Sequence, residues 1–153
     1  APLIAVPLDG HRHAERAIPL ACSLATQIGG EVVLLHVAPR PEQIVTEHDP
    51  QAARQAALRA ARAGRRYLRE ARARAAAHST AAISTKLLLG EPGVALVAFA
   101  LRPQVAAMAL TAHSQLRSDH FFAGAVATQL VRQARTPILL VPRGPETESQ
   151  PSF

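Results

Sequence analysis

Apolar residues recur along this chain with two different periods, and the alternation of those periods predicts its elements. Ile4-Ala5-Val6-Pro7-Leu8 is an unbroken apolar run stopped by Asp9-Gly10, as a strand buried on both faces and ended by a turn would read. From Ala14 to Ile28 the apolar positions Ala17, Leu20, Ala21, Leu24, Ala25 and Ile28 fall three and four apart, the spacing of one helix face, and Gly29-Gly30 stops them. Glu31 to Val37 is a second apolar strand, closed by Ala38-Pro39-Arg40-Pro41. A strand, a helix and a strand in succession favour a right-handed crossover and a parallel pair.

Gln43 to Pro50 reads as a loop, and about Gln51 to His78 as a long helix of alanine and arginine. At about 100° per residue, Ala53, Ala57, Ala60, Ala61, Leu68, Ala71 and Ala75 share one arc of it, and Arg54, Arg62, Arg65, Arg69 and Arg72 the opposite one. Leu58 falls on the basic side. Ala82 to Leu89 alternates like a half-covered edge strand, and Gly90-Glu91-Pro92-Gly93 turns the chain into a short apolar helix from Val94 to Leu101. Val105 to Leu110 is the fourth strand. A polar loop, Gln115 to His120, leads into a helix from about Ala123 to Arg135 with Val126, Leu130, Val131 and Ala134 as its expected buried face. Pro137 to Pro142 is the fifth strand. Strands alternating with helices in this way predict an α/β domain, an open five-stranded parallel sheet covered by helices on both faces.

With 153 residues, 48% of them hydrophobic, the chain fills one core, so a single domain is expected over residues 1–142 and a disordered polar tail over 143–153. No apolar stretch approaches membrane-spanning length and none reads as an export signal, so no membrane partner is expected. The single cysteine, Cys22, excludes an internal disulfide and fits a reducing cytoplasm. The sequence opens at Ala1 directly before a strand, without an initiator methionine, which reads as a trimmed chain or an excised domain. The net charge of +6 is uneven: eight arginines lie between Arg54 and Arg74, against Glu70 alone among acids.

Candidate chemistry gathers at two elbows. The first strand runs into Asp9-Gly10 and the fourth into Thr111-Ala112-His113-Ser114. In an open parallel sheet the C-terminal ends of the strands share an edge, and ligands bind in the crevice outside it.

Val6-Pro7-Leu8-Asp9-Gly10, Leu35-His36-Val37, Gly90-Glu91-Pro92, and Leu110-Thr111-Ala112-His113-Ser114 through Gly124-Ala125-Val126 to Thr136-Pro137-Ile138-Leu139-Leu140-Val141 follow in an order and spacing that resembles the universal stress protein family, over about residues 3 to 142. The resemblance implies a Rossmann-like sheet of the adenine nucleotide alpha hydrolase type in strand order 3-2-1-4-5. It implies a stress-response binding or regulatory module that could hold ATP or AMP and act by occupancy. Nucleotide-binding members carry Gly, two residues, Gly, nine residues, Gly, then Ser or Thr. Glycines of this kind let backbone N–H groups approach phosphates, and the following helix N-terminus adds partial positive charge. That frame falls here on Thr111, Ser114, Gly124 and Ala125, so the spacing is kept while two glycines and the terminal hydroxyl are lost. By the same resemblance Asp9 lies near the ribose or adenine, Pro7, Leu8 and Leu110 along the pocket wall, Val37 against the adenine, and His113 beside the phosphates. Gly124, Ala125 and Val126 present helix-terminal amides. The hydroxyls of Thr111 and Ser114 either obstruct a phosphate or donate to it. Family members also dimerise through the last strand, which implies a homodimer through Ile138 to Val141.

Two alternatives stay open: a member without nucleotide that works as a protein-interaction scaffold, and a slow ATP hydrolase. No Walker lysine follows a Gly-rich loop, so any turnover is expected to be weak, and Ser114, His113 and Asp9 lack the nucleophile elbow of a hydrolytic triad. His11-x-His13 has no third or fourth ligand required beside it and reads as a solvated turn, so no metal site is expected. Cys22 reads as a small core residue. The arginine-rich helix has no helix-turn-helix pattern, aromatic interleaving or zinc ligands, so specific nucleic-acid binding is not expected, although nonspecific binding at low salt is compatible with it.

Overall fold

Among the described residues the two periods resolve into five strands and four α-helices. The computed structural model describes residues 1–45, 48–112 and 121–142, with the side chains of 121–124 left aside. The strands are β1 Leu3–Pro7, β2 Glu31–Ala38, β3 Ile83–Leu89, β4 Val105–Thr111 and β5 Ile138–Val141. They form one parallel sheet in the order β3-β2-β1-β4-β5. The helices are α1 Ile18–Ile28, α2 Pro50–Ala76, α3 Pro92–Ala100 and α4 Phe121–Gln133.

Side chains alternate across the sheet, so each central strand feeds two cores. Ile4, Val6 and Leu8 pack with Val32, Leu34 and the α1 and α2 residues Ala21, Ala25, Leu68 and Ala71. Ala5 packs on the other side with Val33, Leu35, Met108 and the α3 and α4 residues Leu96, Phe99, Val126 and Leu130. Cys22 is buried in the first of these cores. β1 pairs with β2 on one side and β4 on the other, in registers that set Pro7 opposite Leu35 and Ala5 opposite Met108.

Two expected faces shift for identifiable reasons. The helix expected from Ala14 divides into a 3-10 helix, Arg12–Ala17, and α1, which starts at Ile18. Pro19 sets that boundary: without an N–H it is tolerated in a first turn and disruptive inside a helix. In α4, Val126 and Leu130 are buried as expected, but Val131 is 61% exposed. Five residues carry it about 140° around the helix from Val126, off the sheet side.

α2 follows its pattern closely. Asp49 caps it, its Oδ1 accepting the N–H groups of Gln51 and Ala52 at 3.1 Å each. Ala53, Ala57, Ala61, Leu68 and Ala71 are buried against β2 and β3, Ala60 and Ala75 are half-buried, and Leu58 stands exposed among the arginines. Among the described residues no helix is long and apolar enough to cross a membrane. The expected tail, 143–153, and the loop Gln115 to His120 lie outside the described residues.

Candidate functional site

Strand order reverses direction at β1: the chain steps from β1 to β2 and β3 on one side, then returns to place β4 and β5 on the other. The crevice between the ends of β1 and β4 is therefore the topological switch point, where open α/β sheets take their ligands. Two elbows flank it. Leaving β1, the Leu8 N–H donates to the Leu35 carbonyl at 2.7 Å, and Gly10 then turns the chain at φ +93°, a conformation that excludes most side chains. Asp9, at the corner, is half-buried, and its Oδ1 accepts the His11 N–H at 2.9 Å. Its Oδ2 lies 3.9 Å from His13 Nε2, and the His13 ring stacks on His11 with the ring centres 5.6 Å apart. The carboxylate thus shapes its own turn. Val37, two residues beyond Leu35 on β2, reaches the same edge, and its side chain leans on the second core.

Across the crevice, Thr111 ends β4. Its hydroxyl donates to the Ala14 carbonyl at 3.1 Å and the residue is 8% exposed. This bond ties the end of β4 to the 3-10 helix that follows β1. A hydroxyl has one proton to donate, so the donor capacity of Thr111 is committed to the fold. Leu8 and Leu110 are buried, and Pro7 is half-buried. α4 starts at Phe121, two residues before the expected start, which sets Gly124 in its first turn and Ala125 and Val126 just beyond. Ala125 is exposed and Val126 is buried, and the earlier start pairs their N–H groups with the carbonyls of Phe121 and Phe122, so neither presents the helix-terminal amide expected of it. His113 and Ser114 lie outside the described residues.

A group of side chains that the sequence pattern did not single out holds the first elbow from beneath. His36 Nδ1 is 2.9 Å from the Leu8 carbonyl, one residue before Asp9. Its ring meets Tyr67 edge-on at 5.7 Å between centres. The Tyr67 hydroxyl donates to Glu15 Oε2 at 3.3 Å, and Arg74 donates through Nε to Glu15 Oε1 at 2.9 Å and through Nη2 to Oε2 at 3.0 Å. α2 is thereby fastened to the segment after β1. Burial, with the Glu15 carboxylate beside it, pushes the Tyr67 hydroxyl well above its ordinary range, so it remains a donor. Arg74 is shifted upward, chiefly by its hydrogen bond to Glu15.

Gly64 makes this arrangement possible. A Cβ there would stand 2.9 Å from His36 Cδ2 and 2.9 Å from Leu87 Cδ1. A signal for it was present: Gly64 interrupts a 27-residue helix at an interior position, where glycine costs about 1 kcal/mol relative to alanine and so marks a close approach. Among the described residues no group of three or more His, Cys, Asp or Glu side chains could hold a metal ion.

A family model described as the universal stress protein family matches residues 3–142. No curated protein is similar enough in sequence to match. Universal stress protein UspA from Lactobacillus plantarum shares the fold with a TM-score of 0.75 at 18% identity, over 92% of this chain and 97% of that one. A universal stress family protein from Burkholderia pseudomallei gives a TM-score of 0.66 at 25% identity, over 92% and 95%. A family protein from Arabidopsis thaliana, solved with AMP bound, gives 0.60 at 15% identity, over 99% and 98%.

Proposed function

This chain belongs to the universal stress protein family, and on that premise we propose that it is a cytoplasmic stress-response binding module that takes an adenine nucleotide, AMP or ATP, at the switch-point crevice. The observation that carries the reading is Asp9, a carboxylate at the corner of the β1 elbow, level with Val37 on the neighbouring strand and propped by His36 through the Leu8 carbonyl. A carboxylate there can accept from ribose hydroxyls while Val37 offers an apolar wall to a purine, and the AMP bound by the Arabidopsis family protein is a ligand of that chemistry. Pro7, Leu8 and Leu110 line the wall, His113 and Ser114 lie beside the phosphates, and the first turn of α4, with Gly124, turns the positive end of the helix toward them. The module acts by occupancy, biasing whichever arrangement binds the nucleotide more tightly. It works as a homodimer through the β5 edge, where Leu140 is 52% exposed.

One observation favours a second reading, a scaffold without nucleotide: Thr111 occupies a glycine position of the binding frame and its hydroxyl is committed to Ala14. Titration calorimetry with AMP and ATP, with mass spectrometry of small molecules released on denaturing freshly purified protein, separates the two. Asp9→Asn keeps an acceptor for the His11 N–H but loses the charge, and should weaken AMP about ten-fold, the effect of one charge-assisted hydrogen bond. An empty protein with flat titrations would leave the scaffold.

A further inference from the structure

The whole charge excess of the chain sits on one helix. α2 carries eight arginines and one carboxylate, Glu70, a net +7, whereas the rest of the sequence has nine basic and ten acidic residues. Arg74 is taken up by Glu15. The other seven, from Arg54 to Arg72, are exposed, and among the described residues no ion pair reaches any of them. At about 100° per residue they fall within an arc of about 140°, along about 27 Å of helix axis. Arg62, Arg65, Arg66 and Arg69 stand three or four residues apart, spacings at which like charges destabilise a helix. A solvated face tolerant of any polar residue would be expected to interleave acids, and this one holds a single glutamate.

We propose that the outer face of α2 binds the phosphate backbone of double-stranded nucleic acid without regard to sequence. The stripe is all arginine, whose planar fork matches phosphate oxygens better than lysine does. A protein partner would need apolar or aromatic anchors, yet Leu58 is the one large apolar side chain exposed on α2, and Tyr67 is half-buried against Glu15. A membrane surface would need an apolar face to insert, and that of α2 is buried on β2 and β3. The absence of aromatics from the stripe argues against stacked single strands. α2 covers the β3 side of the sheet, away from the β5 edge.

The test is fluorescence anisotropy of the full chain with a labelled duplex of about 20 base pairs, in two unrelated sequences, between about 50 and 200 mM NaCl. Four phosphates neutralised give a log–log salt slope of about −3.6 and an affinity loss of about 150-fold across that range, equal for both sequences. Arg62→Gln/Arg65→Gln/Arg69→Gln should flatten the slope by about 2.7 while far-UV circular dichroism keeps its helical signal. The triple lysine variant, which keeps charge, should retain the wild-type slope. No binding at about 50 mM salt, an unchanged slope in the glutamine variant, or a flattened one in the lysine variant would overturn the proposal. Equal or tighter binding to phosphatidylserine vesicles or to polyglutamate would overturn it as well.

Discussion

Replacing Gly64 by alanine sets two effects of similar size against each other, and the structure decides the winner. Alanine should stabilise a helix interior by about 0.8–1.0 kcal/mol relative to glycine. Its methyl would, however, sit 2.9 Å from His36 Cδ2 and from Leu87 Cδ1, well inside the roughly 3.5–4.0 Å of comfortable carbon contact. Leu87 can yield by turning the end of a flexible side chain. The His36 ring cannot swing without losing its contact with the Leu8 carbonyl at 2.9 Å and its seat against Tyr67. Overpacking of this kind costs about 1–3 kcal/mol, and the hydrogen bond about 0.5–1.5 kcal/mol if it breaks. The expected net effect is a loss of about 1–2 kcal/mol in urea unfolding, with weaker AMP binding because the displaced ring no longer props the Asp9 elbow. The same substitution in a His36→Ala background has room for its methyl, so there it should stabilise by about the propensity gain. That reversal of sign is the diagnostic. A Gly64→Ala protein more stable than wild type, or an equal effect in both backgrounds, would refute the view that Gly64 exists to seat His36.

Tyr67 is the single tyrosine of the chain, so phenolate absorbance reads it alone. Its folded-state pKa lies above the unfolded value of about 10, so the stability it contributes is complete below that pH and is lost as pH rises beyond it. Wild-type protein should therefore show phenolate only as it unfolds, and Tyr67→Phe should flatten the alkaline fall in the urea midpoint. Phenolate appearing near pH 10 in the folded protein would contradict the burial argument. At the other edge of the sheet, Leu140→Glu sets a charge on the exposed β5 surface and should reduce the sedimenting mass from about twice 16.2 kDa to a single chain. An unchanged dimer would remove β5 from the interface.

What could be read from the chain, and what could not, follows the range over which each feature is determined. Strand positions depend on local runs such as Ile4 to Leu8, so periodicity is enough to place them, whereas the order of the sheet rests on the family resemblance. Pro19 was equally visible, and weighting its missing N–H would have moved the start of α1 to Ile18. Val131 reads as buried by its apolar character, where the angle from Val126 points away. The site divides in the same manner. Asp9 and Val37 stand at strand ends, which local pattern locates. The partner of Thr111 is Ala14, 97 residues earlier, and His36 on β2 meets its support in Gly64 and Tyr67 on α2. No local pattern encodes those meetings, because each depends on how α2 and the segment after β1 lie on the sheet. The consequence bears on function: the glycine frame considered alone treats Thr111 as either an obstruction or a phosphate donor. Its hydrogen bond instead makes it a strut across the base of the crevice, and whatever affinity the site has must come from the groups above it.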